Sequence, residues 1–124
     1  MKNRFLKLGL CLAVTLAFSS MEVMAQKNND WARLGRYAKA NKELLAPTKK
    51  EKRVVFMGNS ITEGWVRIRP DFFKENGYVG RGISGQTSYQ FVVRFRPDVI
   101  NLNPKLVVIN AGTNDVAENT GPFD

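Results

Sequence analysis

Two short segments of the chain are apolar at every position. They are Val54–Met57, with the sequence VVFM, and Leu106–Ile109, with the sequence LVVI. A strand with one face in water alternates apolar and polar residues, whereas a strand in a parallel sheet is covered by helices on both faces and is apolar throughout. These two segments therefore predict a parallel β-sheet that lies between two layers of helices.

The sequence between these strands continues an alternation of strands and helices. Gly77–Ile83 is a weaker strand candidate that begins at an Asn-Gly turn signal. Helical patterns occupy the intervals: ITEGW follows the first strand, and RPDFFKE has a proline and an acid where a helix would start. Before the third strand, four apolar residues share a helical face, namely Val92, Phe95, Val99 and Leu102. The order predicts a three-layer α/β domain with right-handed crossovers.

Residues 1–25 have the pattern of a secretory signal peptide. Basic residues open the segment, an apolar stretch follows at Leu8–Phe18, and the segment ends in the small residue Ala25. The apolar stretch is too short to favour a membrane-spanning helix. We expect cleavage after Ala25 and a secreted or periplasmic protein. Because Cys11 is the single cysteine, the exported chain is expected to contain no disulfide.

Residues 26–52 are expected to form an N-terminal helix and a basic linker. The segment Trp31–Ala46 is moderately amphipathic, Asp30 can cap it, and it ends before Pro47. The run Lys49–Arg53, KKEKR, is typical of a solvated linker, and no recognised nucleic-acid motif accompanies it. We therefore expect no nucleic-acid partner and no stable membrane insertion, despite a net charge of +8. The oligomeric state is left open.

Small and polar residues follow each predicted strand at the point where it ends. These loops are GNSIT, SGQTS and NAGTND. The carboxyl ends of parallel strands meet at one edge of the sheet, where ligands bind, so the three loops are expected to converge. Each loop alone is also an ordinary turn or helix cap. Their occurrence at three successive strand ends is what favours a functional site.

Three residues of these loops have the properties that ester cleavage requires. Ser60 can expose a nucleophilic hydroxyl, and its own N–H lies near a helix N-terminus. Gly85 lets a backbone N–H approach a substrate closely, and Asn114 offers a neutral amide donor. Together these donors would stabilise the oxyanion that forms when the Ser60 hydroxyl attacks a carbonyl.

The segments FMGNSITEGW, GRGISGQTS and VVINAGTNDV resemble the first three sequence blocks of the SGNH hydrolases, also called GDSL-type esterases and lipases. The resemblance extends from about Val54 to Asp115. It implies a flavodoxin-like α/β/α parallel sheet and a serine hydrolase that acts on ester bonds. By this resemblance Ser60 is the nucleophile, and Gly85 and Asn114 are the oxyanion-hole donors.

The sequence departs from the family pattern in two places. Asn59 stands where the family commonly has aspartate. The last block of the family, Asp-x-x-His, is not found, and the 124 residues contain no histidine. Asp115 is too near Asn114 to be the triad acid and is expected to cap a loop, while Glu63 is expected to interact with a helix dipole.

Residues 53–124 are therefore predicted to be the N-terminal part of an SGNH domain, truncated after the third strand. An unpaired apolar strand edge would follow, with a tendency to aggregate. The function predicted is a secreted serine ester hydrolase for O-acetyl or other short acyl esters of carbohydrates, inactive as this fragment.

The predicted hydrolase needs no cofactor and no metal. The alternative is a non-catalytic module on the same fold that binds a sugar or another small ligand. A nucleotide-binding protein is disfavoured because the chain has neither a Walker lysine pattern nor a Gly-x-Gly-x-x-Gly turn.

Overall fold

A computed structural model describes residues 30–122 of the chain. The chain divides between Trp31 and Ala32, and the residues from Ala32 onward belong to one compact unit. The predicted signal peptide, with Cys11 and the cleavage site after Ala25, lies outside the described residues. Within residues 30–122, no helix has the length and apolar character needed to span a bilayer.

The elements alternate as the sequence predicts. In chain order they are α1 (Gly35–Glu43), β1 (Val54–Gly58), α2 (Ser60–Ile68), α3 (Pro70–Glu75), β2 (Tyr78–Gly82), α4 (Ser88–Asp98), a 3₁₀ turn (Ile100–Leu102), β3 (Leu106–Asn110) and α5 (Thr113–Val116). The strand predictions are confirmed to within one residue at each end.

The first helix is shorter than predicted. It begins at Gly35 instead of Trp31, and Leu34 occupies the N-cap position without a side-chain cap. The reason is local, because Arg33 has a φ of 55°, a left-handed conformation that an α-helix cannot contain. The helix ends where Leu44 becomes extended. The predicted cap at Asp30 is therefore wrong.

The three strands form a parallel sheet in the order β2-β1-β3. Val54 in β1 pairs with Tyr78 on one side and with Leu106 on the other. All five residues of the central strand are buried, which confirms the prediction made from its uninterrupted apolar sequence.

Helices cover β1 on both faces because alternate side chains of a strand point to opposite faces of a sheet. Val55 and Met57 pack against a cluster formed largely by α4 and the 3₁₀ turn, with Phe91, Val99 and Leu102 as buried members. Val54 and Phe56 pack on the other face against Phe73 of α3. Aromatic rings of α2, α3 and β2 surround Phe56 at centroid distances of 5.2–5.4 Å. The predicted three-layer α/β/α arrangement is confirmed.

Strand β3 is less covered than its apolar sequence predicts. Among the described residues it pairs only with β1, and Leu106 and Ile109 are 58% and 55% exposed. The expectation that both faces are covered fails for this strand within residues 30–122. The expected open apolar edge is present there.

The basic run before β1 is not wholly a solvated linker. Arg53 is buried, and it donates hydrogen bonds to the carbonyl oxygens of Leu102 at 2.8 Å and Leu45 at 2.7 Å. Its Nε also donates to Glu51 at 2.8 Å. Arg53 thus anchors the start of β1 to the segments that follow α1 and α4, so the linker interpretation is wrong for this residue.

Candidate active site

Ser60 is the first residue of α2, directly after the end of β1. Asn59 is the N-cap, and its side-chain oxygen accepts a hydrogen bond of 3.1 Å from the N–H of Ile61. The Asn59 side chain is buried, whereas Ser60 is exposed. Asn59 therefore has a capping role, and it leaves the Ser60 hydroxyl at the surface of the helix N-terminus.

The ends of β1 and β2 lie unusually close to the first turn of α2. A Cβ atom at Gly58 would lie 2.0 Å from Oγ1 of Thr62, and one at Gly82 would lie 2.2 Å from the backbone nitrogen of Glu63. The carbonyl oxygen of Gly58 also accepts a hydrogen bond of 2.9 Å from the N–H of Ile83. Glycine at these positions allows the first two loops of the candidate site to meet.

Gly85 lies in the second loop, where the backbone turns sharply. Its φ of 79° is in the left-handed region, which glycine adopts without strain, and the residue is exposed. The side-chain nitrogen of Asn119 lies 3.4 Å from the Gly85 carbonyl oxygen. Across the described residues, neither the N–H of Gly85 nor that of Ser60 has a hydrogen-bond acceptor. Both predicted oxyanion donors are therefore available to a ligand.

Asn114 connects the third loop to the second. Its Nδ2 donates a hydrogen bond of 2.8 Å to the carbonyl oxygen of Gln86, the residue that follows Gly85. A side-chain amide carries two N–H bonds, so this contact uses one and fixes the orientation of the other. The structure thus brings two of the three predicted loops into direct contact.

A buried arginine joins the first and second loops. Arg94 is fully buried on α4, and its Nη2 donates to the Gly58 carbonyl oxygen at 3.1 Å. Its Nε donates to Oε1 of Gln86 at 2.5 Å, and its Nη1 pairs with Asp98 at 2.9 Å. Burial lowers the pKa of Arg94, and the hydrogen bond and charge of Asp98 oppose this effect. The guanidinium remains charged and holds both loops.

The polar network continues from Asp98 to α1 and β2. The side-chain nitrogen of Asn41 donates to Oδ1 of Asp98 at 2.6 Å, and Oδ1 of Asn41 accepts from Nε of Arg81 at 2.8 Å. The network therefore fastens α1 against the rest of the domain. Within residues 30–122 no buried side-chain nitrogen or oxygen lacks a hydrogen-bond partner.

Sequence reasoning missed this network because it assigned the buried face of α4 to apolar residues. Val92 is 77% exposed, whereas Gln90, Phe91, Arg94 and Asp98 are the buried residues of the helix. The spacing of Arg94 and Asp98, four residues apart, was the available signal for an ion pair on one helix face.

Asp115 caps α4 from the third loop. Its carboxylate accepts hydrogen bonds from the N–H of Ser88, at 2.9 Å, and from the Ser88 hydroxyl. The hydroxyl hydrogen bond, followed by the backbone contacts, holds the pKa of Asp115 below its ordinary value against the effect of burial. This geometry agrees with the expected capping role, and it leaves both carboxylate oxygens of Asp115 engaged by Ser88.

Glu63 bridges α1 and the second loop instead of acting only on the helix dipole. Its Oε1 accepts from Arg36 at 3.0 Å, and its Oε2 accepts from the N–H of Ser84 at 2.9 Å. Burial raises the pKa of Glu63, but these hydrogen bonds and the nearby arginine charges outweigh burial and lower it. Both oxygens are occupied, so Glu63 is a poor general base for Ser60.

In the part of the chain that the structure describes, no cluster of three or more His, Cys, Asp or Glu side chains could hold a metal ion.

Comparisons with known proteins agree with this arrangement. The sequence profile of the GDSL-like Lipase/Acylhydrolase family matches residues 56–124. A candidate acylhydrolase from Bacteroides fragilis is 73% identical, with a TM-score of 0.77, over 78% of this chain and 47% of that protein. A GDSL-like lipase from Bacteroides thetaiotaomicron is 74% identical, with a TM-score of 0.75, over 77% of this chain and 46% of that protein.

This chain thus spans about half the length of the solved structures that it matches. The comparison with curated proteins gave no significant match.

Proposed function

The chain belongs to the GDSL-like lipase/acylhydrolase family, and we propose that its residues supply the nucleophile and oxyanion donors of an ester hydrolase. Ser60 is the nucleophile in this proposal, and the N–H groups of Ser60 and Gly85 bind the oxyanion together with the amide of Asn114. The observation that carries the proposal is the pair of backbone N–H groups, of Ser60 and Gly85, that have no acceptor among the described residues.

Each step of the reaction places a demand on these residues. The Ser60 oxygen attacks the ester carbonyl as its proton passes to a base, and the negative charge that develops on the carbonyl oxygen needs fixed donors. The N-terminus of α2 favours that charge because the N–H of Ser60 has no acceptor among the described residues and the helix dipole is positive there. Collapse of the intermediate expels the alcohol and leaves an acyl group on Ser60, which water then removes.

The base is the component that these 124 residues do not provide. The sequence contains no histidine, and both carboxylates near the site, Glu63 and Asp115, are held by other contacts. The proposal therefore requires a base in addition to these residues. The 124-residue chain by itself is expected to show no hydrolysis above background.

We propose O-acetyl or other short acyl esters of carbohydrates as the substrate class, and a secreted or periplasmic location. The location is supported by the signal-peptide pattern of residues 1–25.

A non-catalytic binding module is the second candidate function. The N–H groups of Ser60 and Gly85 that have no acceptor among the described residues favour it, since they could hold an anion or a sugar without any base. The two candidates differ in whether Ser60 becomes acylated.

A chimera tests the hydrolase proposal. It joins residues 30–122 of this chain to the part of the Bacteroides fragilis acylhydrolase that the match does not cover. With 4-nitrophenyl acetate as substrate, we expect hydrolysis that Ser60→Ala reduces by at least about 10³-fold. The matched control, Thr48→Ala, removes a hydroxyl in the linker and should retain activity. Equal activity of the Ser60→Ala variant and the unsubstituted chimera, in folded protein, would contradict the role of Ser60.

A further inference from the structure

A cavity of about 590 Å³ lies beside Ser60, on the side of α2 that faces α1 and β2. Its lining includes Ser60 and Arg67 of α2, Arg36 and Tyr37 of α1, and Ser84 of the second loop. Its cationic side chains, Arg36 and Arg67, take no part in the proposed acyl transfer. The cavity is therefore a candidate site for the part of the substrate that does not react.

The charges of the lining do not balance. Glu63 is the only carboxylate of the lining among residues 30–122, and both oxygens of Glu63 are occupied by Arg36 and by the N–H of Ser84. The Arg67 side chain makes no ion pair or hydrogen bond with any other described residue. One guanidinium of the lining is thus neutralised within the protein, and the other keeps an uncompensated positive charge.

Helix geometry places this free charge in line with the nucleophile. Residues 60, 64 and 67 lie on one face of α2, and Arg67 is about 10 Å from Ser60 along the helix axis. Long side chains in a helix lean toward its N-terminus, which directs Arg67 toward Ser60. Gly64 lies between them, and a Cβ atom there would meet no atom within 4 Å. The surface between the nucleophile and the free guanidinium is therefore open.

We propose that this cavity binds an anionic group on the sugar part of the ester substrate. The group is a carboxylate or a sulfate, and it is distinct from the oxyanion that forms at the reacting carbonyl. The inference rests on the proposed hydrolase function and assigns its substrate class: acyl esters of acidic sugars. Arg67 contacts the anion, since a guanidinium offers a planar pair of donors that fits carboxylate and sulfate oxygens. Arg36 keeps Glu63 from repelling the anion.

Binding to the ¹⁵N-labelled 124-residue chain tests the proposal without any need for turnover. The probes are methyl β-D-glucuronide, glucose 6-sulfate and the neutral methyl β-D-glucoside, each followed by NMR titration. We expect at least one anionic probe to shift resonances of α2, and the neutral probe to bind at least about tenfold more weakly. The binding of the anionic probe should weaken as salt is added. Comparison of the two anionic probes identifies which oxyanion is preferred.

Two variants assign the binding to the cavity. Arg67→Gln should weaken the binding of the preferred anion about tenfold, whereas Arg96→Gln, at an exposed arginine of α4 outside the cavity, should not change it. Gly64→Leu should also weaken binding, because its side chain occupies the open surface. Gly64→Leu should leave the helix folded, because leucine is a better helix former than glycine, so weaker binding by this variant reports on the occupied surface.

The outcomes separate this inference from the proposed function. Equal affinity for the neutral and anionic probes, or equal effects of Arg67→Gln and Arg96→Gln, would overturn the anion site. If either of these results is found and Ser60→Ala abolishes the activity of the chimera, the hydrolase proposal is supported and the anion site is rejected. Binding that depends on Arg67, together with a folded but inactive chimera, supports the anion site and removes the hydrolase.

Discussion

Asp98→Asn is expected to destabilise the folded chain by about 3–5 kcal/mol, because it leaves the Arg94 guanidinium buried without an opposite charge. The two side chains are 0% and 1% exposed, and they meet at 2.9 Å. Asparagine keeps the size of the aspartate, so the loss reports on charge and not on a cavity. Its amide group can also place a donor against Nη1 of Arg94.

Glu43→Gln is the matched control for this experiment. Lys39 and Glu43 form an ion pair of the same four-residue spacing on α1, at 3.8 Å, with side chains 88% and 65% exposed. Exposed pairs of this kind contribute about 0.3–0.5 kcal/mol. The two substitutions make the same chemical change, and burial is the main difference between them.

Urea unfolding followed by far-UV circular dichroism measures both effects. With an m value of about 1.5 kcal/mol per molar urea, Asp98→Asn should lower the midpoint by about 2–3 M. If Asp98→Asn is already unfolded without urea, its loss of stability is at least as large as the free energy of unfolding of the parent chain, which agrees with the prediction. Losses within about 1 kcal/mol of each other for Asp98→Asn and Glu43→Gln would refute the reasoning from burial.

Two further predictions concern the third loop of the site and the end of β2. The pKa of Asp115 is depressed by Ser88, so its contribution to stability is complete above the unfolded-state pKa of about 3.9 and is lost as pH falls through the lower folded-state value. Asp115→Asn should therefore flatten the fall in stability below about pH 4, and an unchanged acid profile in urea unfolding would contradict this. Gly82→Ala should cost about 2 kcal/mol or more, because its Cβ would meet the Glu63 backbone. Gly64→Ala, which meets no atom within 4 Å, should be neutral or stabilising by up to about 1 kcal/mol; similar thermal shifts for the two would contradict the close approach.

The sequence was sufficient for the sheet and for its covering layers. Apolar runs without alternation predict strands buried on both faces, and β1 meets that expectation at every position. Strand β3 has the same kind of sequence but is exposed at Leu106 and Ile109 among the described residues. An apolar sequence indicates that a strand is suited to burial. Whether the strand is buried depends on the strands and helices that pack against it, and among the described residues β3 pairs only with β1.

The polar contacts were harder to predict because charged residues are usually exposed. The KKEKR run predicts a solvated Arg53, and the apolar face predicted before β3 does not include Arg94, yet both arginines are buried with their donors satisfied. Each arginine also has one acceptor far away in sequence, namely the Leu102 carbonyl oxygen for Arg53 and the Gly58 carbonyl oxygen for Arg94. The pattern within α4 can indicate the Arg94–Asp98 pair, but it cannot indicate these two distant carbonyl oxygens. The loop residues Ser60, Gly85 and Asn114 were identified from local sequence, and their roles in catalysis stay a prediction.

The most direct test of the central proposal is the site of acylation. The chimera that carries residues 30–122 is mixed with 4-nitrophenyl acetate, quenched within the first turnovers and digested for peptide mass spectrometry. The account predicts an acetyl group on Ser60 that accumulates and then decays, and no acetylated peptide from this region in Ser60→Ala. Hydrolysis by the chimera with the acetyl group on another residue, or undiminished in Ser60→Ala, would contradict the account.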